Sequence, residues 1–180
     1  MKGVIFNLLE EIVLENFGEQ TWLALLDSSG ASGSYTSLGN YPDRELIALV
    51  TAAAAALEMS NEDVLRWFGE RAFPRLAARY PHLVSDHASA DALLSSVNTL
   101  IHPEVRKLYP GAVCPHFDFS PTRGSAGTLL TYRSPRRLCS LVEGFLNGVA
   151  NHFATSVSIA HDCCTLEGAD ECRMSVVWAT

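Results

Sequence analysis

Apolar side chains in the first hundred residues recur at every third or fourth position, the spacing of an amphipathic helix. The stripe of the first predicted helix is made by Ile5, Leu8, Leu9, Ile12, Val13 and Phe17. Gly18 ends this pattern. The stripes of the second and third predicted helices are made by Trp22, Leu25 and Leu26, and by Leu46, Leu49, Val50 and Ala53. The N-terminal part is therefore predicted to be helical.

Capping residues and prolines mark the boundaries of the later helices. Ser60, with an acidic residue three positions later, predicts the start of a fourth helix, and Pro74 predicts its end. Ser89 is the predicted cap of the next helix. Pro103 removes a backbone donor near the end of that helix, so we expect His102 to lie at or near a kink.

Beyond Pro110 the pattern changes to β-branched and alternating positions, which favour strands. The predicted strands are 129–132, 157–161 and 173–178. A helix between them is predicted to begin at Ser134 and Pro135, which suit its cap and first turn. The fold class is thus α+β, with a helical N-terminal part packed on a mixed C-terminal part that contains a small antiparallel sheet.

The length and the net charge of the chain predict the number of domains and disfavour some classes of partner. The chain has 180 residues and a net charge of -7, which predicts one domain over residues 1–180 and disfavours nucleic acid as a partner. No apolar run approaches the length of a membrane span, so we expect no membrane partner. Glu10 and Glu11 interrupt the first apolar stretch, which is unlike a signal peptide and favours the cytoplasm. In the cytoplasm, cysteine side chains stay reduced.

Four residues form a candidate cofactor site. Tyr132 and Ser134 offer hydroxyl donors, and Arg136 offers a planar fork for a carboxylate. This trio suits a ligand with two carboxylate arms, such as haem. His102 supplies an imidazole of the kind that binds haem iron and leaves its other face open. If residues 132–136 formed a strand, alternation would place Tyr132, Ser134 and Arg136 on the same side of it. We favour instead a junction between a strand and a helix, where all three side chains converge on the carboxylate arms of the ligand.

Tyr132, Ser134 and Arg136 reproduce the Tyr-x-Ser-x-Arg signature of the H-NOX domains, the haem nitric oxide/oxygen-binding sensors, which this chain resembles over essentially its whole length. The other similar segments, in order, are 1–7, 67–70, 100–102, 107–112 and 143–145. The resemblance implies one b-type haem buried between the two parts of the fold. It also implies that His102 is the proximal iron ligand and that the signature trio holds the propionates.

The resemblance carries further expectations about the haem pocket. Pro115 matches a proline that presses on the haem in the family, although a plain loop proline is the alternative. Family members that hold oxygen have a tyrosine where this chain has Leu141. Ile5, Leu9 and Leu141 predict an apolar distal face, and Trp67 is a possible donor there. We therefore expect nitric oxide and carbon monoxide to bind, and oxygen to bind weakly or not at all.

The resemblance places this chain among sensors that signal by binding. It implies a partner that is a histidine kinase or a cyclic-di-nucleotide enzyme. No glycine-rich phosphate loop and no kinase or cyclase signature is present in the sequence. We therefore expect the chain itself not to be an enzyme.

A second group of residues is rich in cysteine. Cys139, His161, Cys164 and Cys172 could form a tetrahedral zinc site, with Cys163 as the alternative to Cys164. A subset of the family carries such a zinc site in this part of the chain. Small buried hydrophobic residues are the alternative interpretation of the cysteines.

Two other functions are compatible with these residues. The first is a haem-free zinc and thiol redox-sensing module. The second is a catalytic pair formed by Cys139 with His152 or His161.

Overall fold

The computed structural model describes residues 1–122 and 127–179, which form a helical layer followed by a sheet with one long helix against it. The α-helices in these residues are α1 (Gly3–Phe17), α2 (Glu19–Ser29), α3 (Asp43–Leu57), α4 (Asn61–Arg79), α5 (Ala90–Ser95), α6 (His102–Leu108) and α7 (Cys139–His152). The strands are β1 (His116–Pro121), β2 (Thr128–Arg133), β3 (Ser156–Cys163) and β4 (Cys172–Ala179). The α+β fold class is confirmed.

The first four helices form where the apolar spacing predicted them. The stripe of α1 is largely buried, and Gly18 separates α1 from α2 with a φ of 82°, a conformation that glycine adopts readily. At the start of α4, the Ser60 hydroxyl accepts from the Asp63 backbone N–H at 3.0 Å and donates to the Asp63 carboxylate at 2.7 Å. The predicted cap of α4 is confirmed.

The predicted end of α4 near Pro74 is wrong, because the helix continues to Arg79. Pro74 removes only one hydrogen bond, the one to the carbonyl of Glu70. That part of α4 packs against α7, where a Cβ added to Gly148 would lie 2.9 Å from the Glu70 oxygen. The close packing of α7 on the turn of α4 that precedes the proline favours a continuous helix.

Just before His102, where a kink was predicted, the chain forms a π-helical turn. Ser89 caps α5, since its hydroxyl accepts from the Ala92 N–H at 3.2 Å. The π-helical turn then covers Val97–Ile101, and α6 begins at His102. Pro103 lies in the first turn of α6, where a missing N–H has little cost.

The four strands form one antiparallel sheet in the order β1, β2, β4, β3. Strand β1 was not predicted, although Phe117 and Phe119 alternate along it. The predicted start of α7 at Ser134 is wrong, because the helix begins at Cys139. Ser134 does not cap that helix: its hydroxyl accepts from the Arg136 N–H two residues later at 3.2 Å, which makes a tight turn between β2 and α7.

Buried apolar side chains form three clusters around the centre of the molecule. One lies among α1–α4 and the start of α7, one between the sheet and α7, and one near the end of α4 and α5. A cavity lies where these clusters meet. Within residues 1–122 and 127–179, no helix combines the length and apolarity that crossing a membrane requires.

Candidate haem cavity and cysteine cluster

A cavity of about 390 Å³ lies between the helical part and the sheet. Its wall is formed mainly by apolar side chains from α1, α4, α5, α6, β1, β2 and α7. The structure brings seven of the residues predicted for the haem site to this one cavity, namely Ile5, His102, Pro115, Tyr132, Ser134, Arg136 and Leu141. The volume is within the range of cofactor pockets.

His102 presents a neutral imidazole to the cavity. It is the first residue of α6, and its ring stacks on that of Phe117 with centroids 5.7 Å apart. Burial, together with the positive charge of Arg106, lowers the pKa of His102 to about 4. At neutral pH the ring therefore keeps a free lone pair, as metal coordination requires.

The signature trio occupies the end of β2 and the turn that follows it. Tyr132 is only 2% exposed, and its hydroxyl accepts the Leu138 N–H at 3.1 Å; burial raises the pKa of this phenol. Arg136 donates through Nε to the Asp43 carboxylate at 2.8 Å and through Nη1 to the Val113 carbonyl at 2.5 Å. The strand-to-helix junction that we favoured is thus what the structure shows.

The cavity wall around Ile5 and Leu141 is apolar, but Leu9 does not belong to it. Leu9 and Trp67 instead line a second, smaller cavity of about 150 Å³ among α1–α4. The Trp67 ring packs on Phe17 at 5.6 Å. Trp67 is therefore not placed to donate to a ligand in the large cavity.

Two tyrosines in the wall of the large cavity were missed by the sequence analysis. The hydroxyl groups of Tyr80 and Tyr109 are hydrogen-bonded to each other. Tyr109 follows α6 and Tyr80 follows α4, so the pair ties the ends of these two helices together. Burial, and next the bond to Tyr80, raise the pKa of Tyr109. No spacing in the sequence links positions so far apart.

Three of the predicted zinc ligands lie together beside the sheet. The sulfur atoms of Cys139, Cys164 and Cys172 lie within 4.8 Å of one another, and all three residues are buried. The Cys139–Cys164 and Cys164–Cys172 sulfur distances are 3.5 and 3.7 Å. Burial, and next the neighbouring thiols, raise the pKa of Cys139. Thr165 donates to the Cys172 sulfur from its backbone N–H at 3.2 Å.

The remaining candidates lie outside this cysteine cluster. His161 Nε2 is 3.0 Å from a carboxylate oxygen of Glu143, and the Cys163 sulfur is 3.5 Å from the Glu171 carbonyl oxygen. His152 is the last residue of α7 whereas Cys139 is the first, so about 20 Å of helix separates them. Neither histidine forms the predicted catalytic pair with Cys139 in this structure.

Comparison with known proteins agrees with the architecture. The sequence pattern of the Haem-NO-binding family matches residues 2–161. The chain therefore belongs to the Haem-NO-binding family, whose members are known as H-NOX proteins.

Three solved structures illustrate the similarity. A crystal structure of an H-NOX protein from Shewanella oneidensis in the Fe(II)NO ligation state is 35% identical, with a TM-score of 0.94 and 100% of both chains covered. An NMR structure of the Shewanella oneidensis H-NOX domain in the Fe(II)CO ligation state is 36% identical, with a TM-score of 0.87 and coverage of 98% of this chain and 97% of that one. The Fe(II) unliganded H-NOX protein from K. algicida is 28% identical, with a TM-score of 0.88 and coverage of 100% and 97%.

Proposed function

We propose that this protein is a haem-based gas sensor that binds nitric oxide and carbon monoxide. The observation that carries the proposal is the single cavity in which a neutral, half-buried histidine and the Tyr-x-Ser-x-Arg trio meet. The two Shewanella oneidensis structures were captured with nitric oxide and carbon monoxide, respectively, as ligands of Fe(II). A b-type haem supplies a ferrous iron that binds such gases.

The residues of the cavity fit a haem group. His102 is neutral, as an axial ligand must be, and it lies at the start of a helix that follows a π-helical turn. Tyr132, Ser134 and Arg136 provide donors for the two propionates. Pro115 lines the same cavity and is proposed to press on the face of the macrocycle.

The selectivity of the sensor follows from the apolar wall. Ile5 and Leu141 present no hydrogen-bond donor in their side chains. Oxygen is held well only where such a donor reaches it, whereas nitric oxide and carbon monoxide depend on a donor far less. The proposed function is therefore detection of these two gases in the presence of air.

Signalling requires that the protein has two arrangements, one of them favoured when a gas is bound. The element proposed to move is α6, because its first residue is His102. A histidine kinase or a cyclic-di-nucleotide enzyme is the proposed partner that distinguishes the two arrangements. The cytoplasmic location stays a prediction.

An absorption spectrum of the purified, reduced protein tests the haem proposal. We expect an intense Soret band that shifts with nitric oxide and with carbon monoxide but stays unchanged in air. A colourless protein, or a Soret band that shifts in air, would contradict the proposal.

We propose that the cysteine cluster also binds zinc. Sulfur atoms bound tetrahedrally to zinc at about 2.3 Å lie about 3.8 Å apart, close to the Cys139–Cys164 and Cys164–Cys172 sulfur separations of 3.5 and 3.7 Å. The hydrogen bond from Thr165 to Cys172 is of the kind that supports a thiolate ligand. His161 is proposed as the fourth ligand, which requires its ring to leave Glu143. Oxidation of the thiolates would then release the metal.

Zinc content of matched variants tests this second site. The wild-type protein and Cys163→Ala should each retain one zinc ion per chain, and Cys164→Ala should retain none. Equal zinc content in the two variants would contradict the assignment of Cys164 as a ligand.

A further inference from the structure

Lys2 is a buried cation beside the haem cavity. It is 8% exposed and lines the cavity, just before α1. Lys107, the other lysine of the chain, has a side chain that is 70% exposed and is paired with Glu104. The two lysines thus have opposite environments, because Lys2 is largely shielded from bulk water and Lys107 is not.

The contacts of Lys2 do not neutralise its charge. Its ammonium donates to the carbonyl oxygens of Leu38 at 2.5 Å and Pro110 at 3.1 Å. Both acceptors are uncharged, and an ammonium has three donors. None of the ion pairs found in residues 1–122 and 127–179 includes Lys2. A buried charge of this kind is normally paired.

Lys2 and Arg136 are held by the same segment of chain. Lys2 binds the carbonyl of Pro110, and Arg136 binds the carbonyl of Val113, three residues later. Both cations also line the cavity. The carboxylate of Asp43 pairs with Arg136 at 2.8 Å and with the N-terminal ammonium of Met1 at 2.6 Å. Among the cavity-lining residues that the structure describes, Lys2 is the cation without a carboxylate partner, so a carboxylate arm of the ligand would offset its charge.

We infer that Lys2 binds a carboxylate arm of the cofactor and acts alongside Tyr132, Ser134 and Arg136 in holding it. This inference rests on the proposed function and adds a residue to it that the signature motif does not contain. The carbonyls of Leu38 and Pro110 fix the ammonium in place, and its third N–H is the donor to the propionate.

The contact between Lys2 and a propionate is tested by combining lysine variants with charged and uncharged porphyrins. The rate of haem loss to a haem-free acceptor globin is measured for wild type, Lys2→Met and Lys107→Met, each loaded with haem or with haem dimethyl ester. Lys2→Met should lose haem about tenfold faster than wild type, whereas Lys107→Met should match it. The arms of haem dimethyl ester carry no charge. With this diester, the rates of porphyrin loss from Lys2→Met and from wild type should therefore differ by less than about twofold. An equal effect of Lys2→Met on both porphyrins would overturn the inference, because it would mean that Lys2 acts only on the fold.

A measurement on the wild-type protein keeps the inference testable if Lys2→Met does not fold. An amine-acylating reagent is applied to the haem and diester forms, and modification of Lys2 is read relative to Lys107 by mass spectrometry. Lys2 should be modified at least about fivefold more slowly in the haem form, since a propionate holds its ammonium. Equal modification in the two forms would overturn the inference. Failure of the wild-type protein to take up haem would instead refute the proposed function.

Discussion

The Nε atom of Arg136 lies 2.8 Å from the carboxylate of Asp43, so the signature turn after β2 is tied directly to the start of α3. Arg136 also binds the carbonyl of Val113, in the segment between α6 and β1. One guanidinium thus joins the helical part, the segment that follows the His102 helix, and the turn before α7. Its orientation toward the cavity depends on both contacts.

The change Asp43→Asn should therefore loosen the cofactor. The amide keeps the size of the side chain but removes the charge that orients Arg136, and we expect haem to be lost about three to ten times faster. The measurement is haem transfer to an acceptor globin. Asp63→Asn is the control, because Asp63 contacts Arg66 and neither residue lines the cavity. An unchanged rate for Asp43→Asn would show that Arg136 does not need this partner.

The change Leu141→Tyr should let the protein hold oxygen. It places a hydroxyl donor on an otherwise apolar part of the cavity wall, where it can stabilise the partial negative charge of bound oxygen. The reduced variant exposed to air should show a stable shifted Soret band. Leu141→Phe adds the same ring without the hydroxyl and should behave as wild type. If Leu141→Phe also bound oxygen, cavity shape and not hydrogen bonding would control selectivity.

The change Gly144→Ala should destabilise the fold, although alanine is normally the better helix former. A Cβ at Gly144 would lie 2.2 Å from the Arg66 carbonyl oxygen and 2.9 Å from the Cα of Gly69, so α4 and α7 must separate. We expect a loss of about 1–3 kcal/mol in the free energy of unfolding, instead of the gain of about 0.5–1 kcal/mol usual for this change in a helix. Denaturant unfolding measures it, and a gain would contradict the tight contact.

Acid should destabilise the haem-free protein through His102. Burial and Arg106 hold the pKa of His102 at about 4 in the folded state, below its usual value of 6.5. The unfolded chain therefore takes up a proton first as the pH falls. The stability that the neutral ring contributes to the folded state is complete above pH 6.5 and is lost progressively as the pH falls toward 4.

Denaturant unfolding of the haem-free protein between pH 7 and pH 4.5 measures this effect. The variant His102→Gln lacks the titrating group and should lose less stability over that range than the wild-type protein. Parallel pH profiles for the two proteins would show that His102 is not held neutral by the fold.

The sequence predicted the elements whose signal is local. Apolar spacing located α1, and the hydroxyl of Ser60 located the start of α4. The helix end predicted at Pro74 is wrong because the packing of α4 on α7 outweighs one lost hydrogen bond. The helix start predicted at Ser134 is wrong because a serine hydroxyl serves a turn as readily as a helix cap.

In the candidate site, too, residues close together in the chain were predicted and contacts between distant residues were not. The motif placed Tyr132, Ser134 and Arg136 at the cavity because the three are neighbours in the chain. The burial of Lys2 was not predicted, because it depends on Leu38 and Pro110, which are distant in the chain. Contacts of that kind leave no pattern in one sequence.

The absorption spectrum of ferrous His102→Gly, with and without added imidazole, tests the central claim most directly. If His102 is the protein's iron ligand, the five-coordinate spectrum of the wild-type protein should be absent from the variant and should return when imidazole fills the space left by the side chain. A variant that kept the wild-type spectrum without imidazole would show that another residue holds the iron, and the proposed mechanism of gas detection would be wrong.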